Sequence, residues 1–96
     1  MATFVCLVKG TPEGFKNIKG LGERWADLKK GIEAAGGKVL GAYALMGEYD
    51  YLIIAEMPSN DAALSVILKA ASKGTASYQT LPAVAIDKFV KLVDKL

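Results

Sequence analysis

The spacing of apolar residues changes period several times along this chain. From Thr3 to Lys9, "TFVCLVK" is apolar on both alternating faces, with Phe4, Cys6 and Val8 pointing one way and Val5 and Leu7 the other. Such a run predicts a central strand in a sheet covered on both sides. The period then lengthens. Phe15, Ile18, Leu21 or Gly22, Trp25, Leu28, Ile32 and Ala35 recur at three- and four-residue steps, predicting an amphipathic helix. Thr11 is suited to the N-cap, Pro12 to the first helical position and Glu13 to the positive end, and Gly36-Gly37 stops the segment. Gly20 and Gly22 each weaken the middle by about 1 kcal/mol relative to Ala, which predicts a break near "KGLGER".

"KVLGAYALM" (Lys38 to Met46) and "YDYLIIAE" (Tyr49 to Glu56) read as two strands joined by Gly47-Glu48, a pair suited to a type II′ hairpin turn. That turn sets a register: Met46 opposite Tyr49, Leu45 opposite Asp50, and so on to Gly41 opposite Ile54. One face then carries Leu40, Ala42, Ala44, Ile53 and Ala55, small enough for helices to lie close. The other carries Val39, Tyr43, Leu45, Asp50, Leu52, Ile54 and Glu56. That bulky, mostly apolar face calls for a cover. Pro58 ends the strand, and Ser59, Asn60 or Asp61 can cap a helix running from Asp61 to about Lys73. Its inward stripe is Ala62, Ala63, Val66, Ile67, Ala70 and Ala71. Thr75 to Ala85 reads as a weaker strand at an edge, where Pro82 is tolerated. "IDKFVKLVDKL" closes the chain as an amphipathic helix, with Ile86, Phe89, Val90, Val93 and Leu96 on one face.

The order β-α-β-β-α-β plus a terminal helix predicts an α+β, ferredoxin-like fold with a four-stranded antiparallel sheet. Both helices would lie on one face. The apolar second face calls for a second subunit, predicting a homodimer or a higher oligomer.

Composition narrows the chemistry. Ninety-six residues, 52% of them hydrophobic and 23% charged, fit one domain over 1–96. The net charge of +2 comes from mixed signs with no long run, so neither a nucleic-acid arm nor a membrane-surface helix is expected. No apolar stretch approaches the ~20 residues of a membrane span, and the N-terminal run is too short for a signal peptide. A soluble, cytoplasmic protein is the expectation. Cys6 lacks an intramolecular partner and reads as a small buried residue. The chain has no histidine, which removes imidazole metal ligands, the Ser-His-Asp arrangement and the usual proton shuttle. No metal or cofactor is expected.

"TFVCLVKGTPEGFKNIKG", "GGKVLGAYALMGEYDYLIIAEMPSNDAA" and the run into "TLPAVAIDKF" resemble the GYD-domain family of the dimeric α/β-barrel superfamily. The likeness spans nearly the whole chain and includes the signature Gly47, Glu48, Tyr49, Asp50. It departs at Gly10, where relatives often carry an aromatic residue. The resemblance implies the ferredoxin-like fold but no particular reaction. Wider members of the superfamily include cofactor-free monooxygenases, isomerases, haem enzymes and amino-acid-sensing domains, an analogy of fold alone.

In the predicted register Glu48 sits at the turn tip and Asp50 on the bulky face, so the two do not converge as a catalytic pair. Asp50 has two readings: a carboxylate that anchors the hairpin or interface, or a polar group at the mouth of a pocket. The candidate pocket residues are Tyr43, Asp50, Leu52, Ile54, Glu56 and Tyr78. The expected role is a non-enzymatic module binding a small apolar molecule or a partner protein between the sheets of a dimer. The alternative is a cofactor-independent monooxygenase or isomerase acting on an apolar or aromatic substrate, with a carboxylate or tyrosine of shifted pKa as acid-base group.

Overall fold

The structure, a computed structural model, describes Met1–Leu96. Its elements are β1 (Ala2–Gly10), α1 (Pro12–Lys16), α2 (Leu21–Ala34), β2 (Lys38–Ala44), β3 (Tyr51–Met57), α3 (Asn60–Ala71), β4 (Ala76–Ala83) and α4 (Ile86–Asp94). The strands form one antiparallel sheet in the order β2-β3-β1-β4. This is the predicted α+β, ferredoxin-like arrangement, with β1 central and β4 at an edge.

The first helical region divides where the glycines predict. Between α1 and α2 lies a single 3-10 turn, Ile18–Gly20. The turn also breaks the apolar stripe. Trp25 and Leu28 stay half-buried and Ile32 is buried, whereas Phe15 and Ile18 are exposed. Thr11 caps α1: its hydroxyl oxygen accepts from Gly14 N at 3.1 Å and its hydroxyl donates to Gly74 O at 2.7 Å. Thr11 N donates to Thr75 O at 3.1 Å, so α1 is tied to the approach to β4. Gly14 is buried there, and a methyl group at its position would collide with the Thr75 carbonyl oxygen. Of the three possible caps for α3, Ser59 takes the role, accepting from Ala62 N at 3.1 Å.

Phe4, Cys6 and Val8 of β1 and Ile53, Ala55 and Met57 of β3 are buried toward the helices, with Ile32 and Ala63 above them. The hairpin register from Gly41 to Ala44 is the predicted one. Its turn is wider than predicted. β2 ends at Ala44 and β3 begins at Tyr51, and the last rung is Leu45 N donating to Asp50 O at 2.8 Å. A bulge between Val39 and Gly41 gives a second correction. Leu40 is the extra residue, half exposed at 50%, and Val39 moves from the bulky face to the helix-side core. One extra residue reverses the facing of everything before it.

On the far side of the sheet, Val5 stands between Ile54 and Leu81, and Leu7 between Leu52 and Gln79. No helix covers this side. Every residue from Ile86 to Leu96 is exposed, so α4 stands clear of the sheet with its apolar stripe unpacked, and the molecule measures 50 × 30 × 18 Å. No helix is long and apolar enough to cross a membrane.

Candidate functional site

The signature loop is a clasp. Asp50 Oδ2 accepts from Gly10 N at 2.8 Å, and Asp50 N donates to Val8 O at 2.9 Å. With the Leu45 rung, Asp50 thereby joins β2 and β3 to the end of β1. The Tyr49 hydroxyl donates to Gln79 Oε1 at 2.6 Å, reaching β4. Glu48 is exposed at the tip. Gly47 has φ +150°, a backbone region essentially closed to side-chain-bearing residues. Hairpin, central strand and edge strand are therefore fastened at one end of the sheet by Tyr49 and Asp50, with Gly47 and Glu48 forming the turn that precedes them.

The other predicted site residues fall on two sides. Tyr43, Leu52, Ile54 and Glu56 share the uncovered face by register, Tyr43 at 59% exposure on the edge strand and Glu56 opposite Lys38. Tyr78 pairs with Val8 and packs, as Trp25 and Tyr51 do, against the buried Cys6, Val8 and Ile53 on the helix side, away from that group. Alternation along β4 sends it there: Gln79 and Leu81, its odd neighbours, take the open face.

A large cavity lies on the helix side too. A cleft of about 930 Å³ runs between α2, α3 and the sheet, reaching Tyr43 and Leu52 at the β2 edge. Val8 and Ile53 floor it; Trp25, Tyr51 and Tyr78 give it aromatic walls. Small residues are its cause. Ala42 and Ala44 were expected to let helices lie close, yet both remain exposed, and Gly31, Ala34, Ala70 and Ala76 around them leave the space unfilled. The layers are held apart by larger residues at the other end, where Phe4, Ile32 and Met57 fill the core.

Arg24 borders this cleft. Its guanidinium donates to Asn17 O at 2.8 Å (Nη1) and Gly14 O at 3.3 Å (Nη2), reaching back over the 3-10 turn. Burial first, with the Cys6 thiol adding to it, pushes the Tyr78 phenol above its usual range, while the Arg24 charge pulls the other way. Lys73 Nζ meets Asp27 Oδ2 at 3.6 Å between α3 and α2 at the cleft's rim. The periodicity along α2 marked Trp25 as an inward position but passed over Arg24, which lies one residue off the stripe. The glycine-induced break was the available signal, since it gives a residue early in α2 a preceding turn to fold back upon.

The chain matches the GYD domain model over residues 4–93. Among solved structures it is similar to a crystal structure of FFRP-DM1, with 20% identity, TM-score 0.59, and coverage of 88% of this chain and 100% of that one. It is likewise similar to the Thermus thermophilus protein TTHA0845, with 20% identity, TM-score 0.55, and coverage of 88% and 95%. At that identity the two structures support the fold alone. No curated protein matches the sequence.

Proposed function

Because the chain belongs to the GYD-domain family and presents apolar surfaces on both sides of one sheet, we propose that it is a homodimeric, non-enzymatic binding module. Two copies pack their open sheet faces together, and each holds a small molecule in its helix-side cleft. The open face carries this reading. Val5, Leu7, Leu52 and Ile54 form a contiguous apolar patch where an exposed sheet would alternate with polar residues. The occupant favoured is a second copy. Only nine of 96 residues are buried, and a domain of this size leaves much of its apolar surface wet unless it pairs. Four strands spaced about 4.8 Å, with lengths of up to nine residues, give a footprint on the order of 600 Å². With side-chain relief this approaches the ~800 Å² per partner of a stable interface. Lys38 stands opposite Glu56 on this face, so the charge at that edge is compensated.

The ligand is assigned to the cleft instead of the space between sheets for a packing reason. Face-to-face sheets lie about 10 Å apart with their side chains interdigitated, which leaves no ligand-sized volume. Sedimentation velocity at micromolar concentration is expected to show a dimer for the native chain and a monomer for Ile54→Lys, since a lysine there is buried twice by symmetry. A native chain that sediments as a monomer overturns the dimer. Native mass spectrometry of protein purified from its source is expected to show a retained small molecule. The exposed stripe of α4 supports association of dimers into a larger assembly, and would be seen in the same sedimentation runs.

A further inference from the structure

The cleft has a charge pattern that its apolar floor does not require. Its charged residues are Arg24, Lys30, Lys69 and Lys73 against Asp27 alone. Lys73 is paired with Asp27, so Arg24, Lys30 and Lys69 leave the cleft net positive. Arg24 has no carboxylate within 4.0 Å. A guanidinium carries five N–H donors, and two of these are used on the carbonyls of Asn17 and Gly14. Those two bonds hold the side chain in place, so little rotamer freedom remains to be lost when a ligand meets the free donors. Near it, the Tyr78 hydroxyl lines the same cleft without a hydrogen-bond partner in the protein, and Trp25 and Tyr51 supply flat apolar walls.

Building on the cleft assignment above, we propose that its ligand is a small aromatic or aliphatic monoanion, its apolar body between Trp25, Tyr51 and Tyr78 and its carboxylate on Arg24. Lys30 and Lys69 raise the local concentration of such anions without contacting them closely, because clefts lined by one sign of charge focus the field. The cavity, at about 930 Å³, lies within the range of small-molecule sites, roughly 300–1,000 Å³. Arg24 is the specificity residue because a planar fork recognises a carboxylate through two parallel bonds, which an amide of the same shape cannot reproduce.

Isothermal titration calorimetry with 2-naphthoate and its uncharged isostere 2-naphthamide tests this on the full chain. Naphthoate is expected to bind about 10-fold or more tightly than naphthamide, the scale of one charge-assisted pair. Arg24→Gln keeps an amide to reach the carbonyls and is expected to erase the difference; Arg24→Lys keeps the charge without the fork and is expected to retain part of it. Gly31→Leu supplies the location. Its Cβ meets only Val66 Cγ1, at 3.8 Å, so the added side chain fills the cleft while improving the helix, and binding of both probes should be lost in a folded protein. Equal binding of the two probes, both blocked by Gly31→Leu, overturns the anion assignment and leaves the cleft as a binding site. Binding of neither probe, or binding untouched by Gly31→Leu, overturns the cleft assignment and the anion with it.

Discussion

Replacing Asp50 with alanine removes one acceptor and leaves the backbone rungs around it intact. The lost bond is the 2.8 Å contact from Gly10 N to Asp50 Oδ2. Hydrogen bonds to a charged group contribute about 1.5–3 kcal/mol, and this one is partly buried, which favours the lower end. Asp50 N to Val8 O and Leu45 N to Asp50 O survive the change. In a domain of this size each kcal/mol moves the melting midpoint by roughly 4–8 °C, so Asp50→Ala should lower it by about 6–12 °C. Asp50→Asn keeps an uncharged acceptor, worth about half as much, and should fall between. Circular dichroism melts with parallel urea titrations measure both. Asp50 is not among the residues lining the cleft, so ligand affinity should be unchanged in either variant. An unmoved midpoint in Asp50→Ala refutes the clasp, and lost binding at full stability would return Asp50 to the pocket.

Two glycines are expected to respond in opposite senses. Gly14→Ala pushes a methyl group against the Thr75 carbonyl, a backbone neighbour that cannot turn away, and should cost about 1–3 kcal/mol in urea titration. Gly22→Ala meets nothing within 4 Å on an exposed helical position and should stabilise by up to about 1 kcal/mol. Stability should also decline in alkali. Burial raises the Cys6 thiol, against a smaller opposing effect of its contact with Thr80 Oγ1 at 3.5 Å, so the unfolded chain ionises first, near the ordinary value of 9.0. Stability is therefore level below that pH and falls as pH climbs through the higher folded-state value. The urea midpoint of Cys6→Ala should fall less steeply over this window; a native midpoint that rises there refutes the reading.

Much of the fold was legible because its signals are local. The two-faced apolar run of β1, the three-and-four spacing of α2 and the Gly47-Glu48 pair each state a period or a reversal within a few residues, and the hairpin register from Gly41 to Ala44 follows from them. The signature itself was readable as a reversal, and Asp50 as a choice between anchor and pocket. Its carboxylate's partner was not readable, because Gly10 lies 40 residues away along the chain. The bulge at Leu40 was hidden for a similar reason: a one-residue slip costs nothing in local pattern and is decided by what packs above Val39. The same holds for the cleft. The small residues Ala42, Ala44, Gly31 and Ala70 are equally compatible with close layers or with a gap. The choice falls to the spacing imposed by the larger residues at the far end of the core. Periodicity determined which elements this chain forms and which faces they keep apolar. Only the tertiary packing decided how far apart those faces stand, because separation between layers depends on all the side chains between them at once.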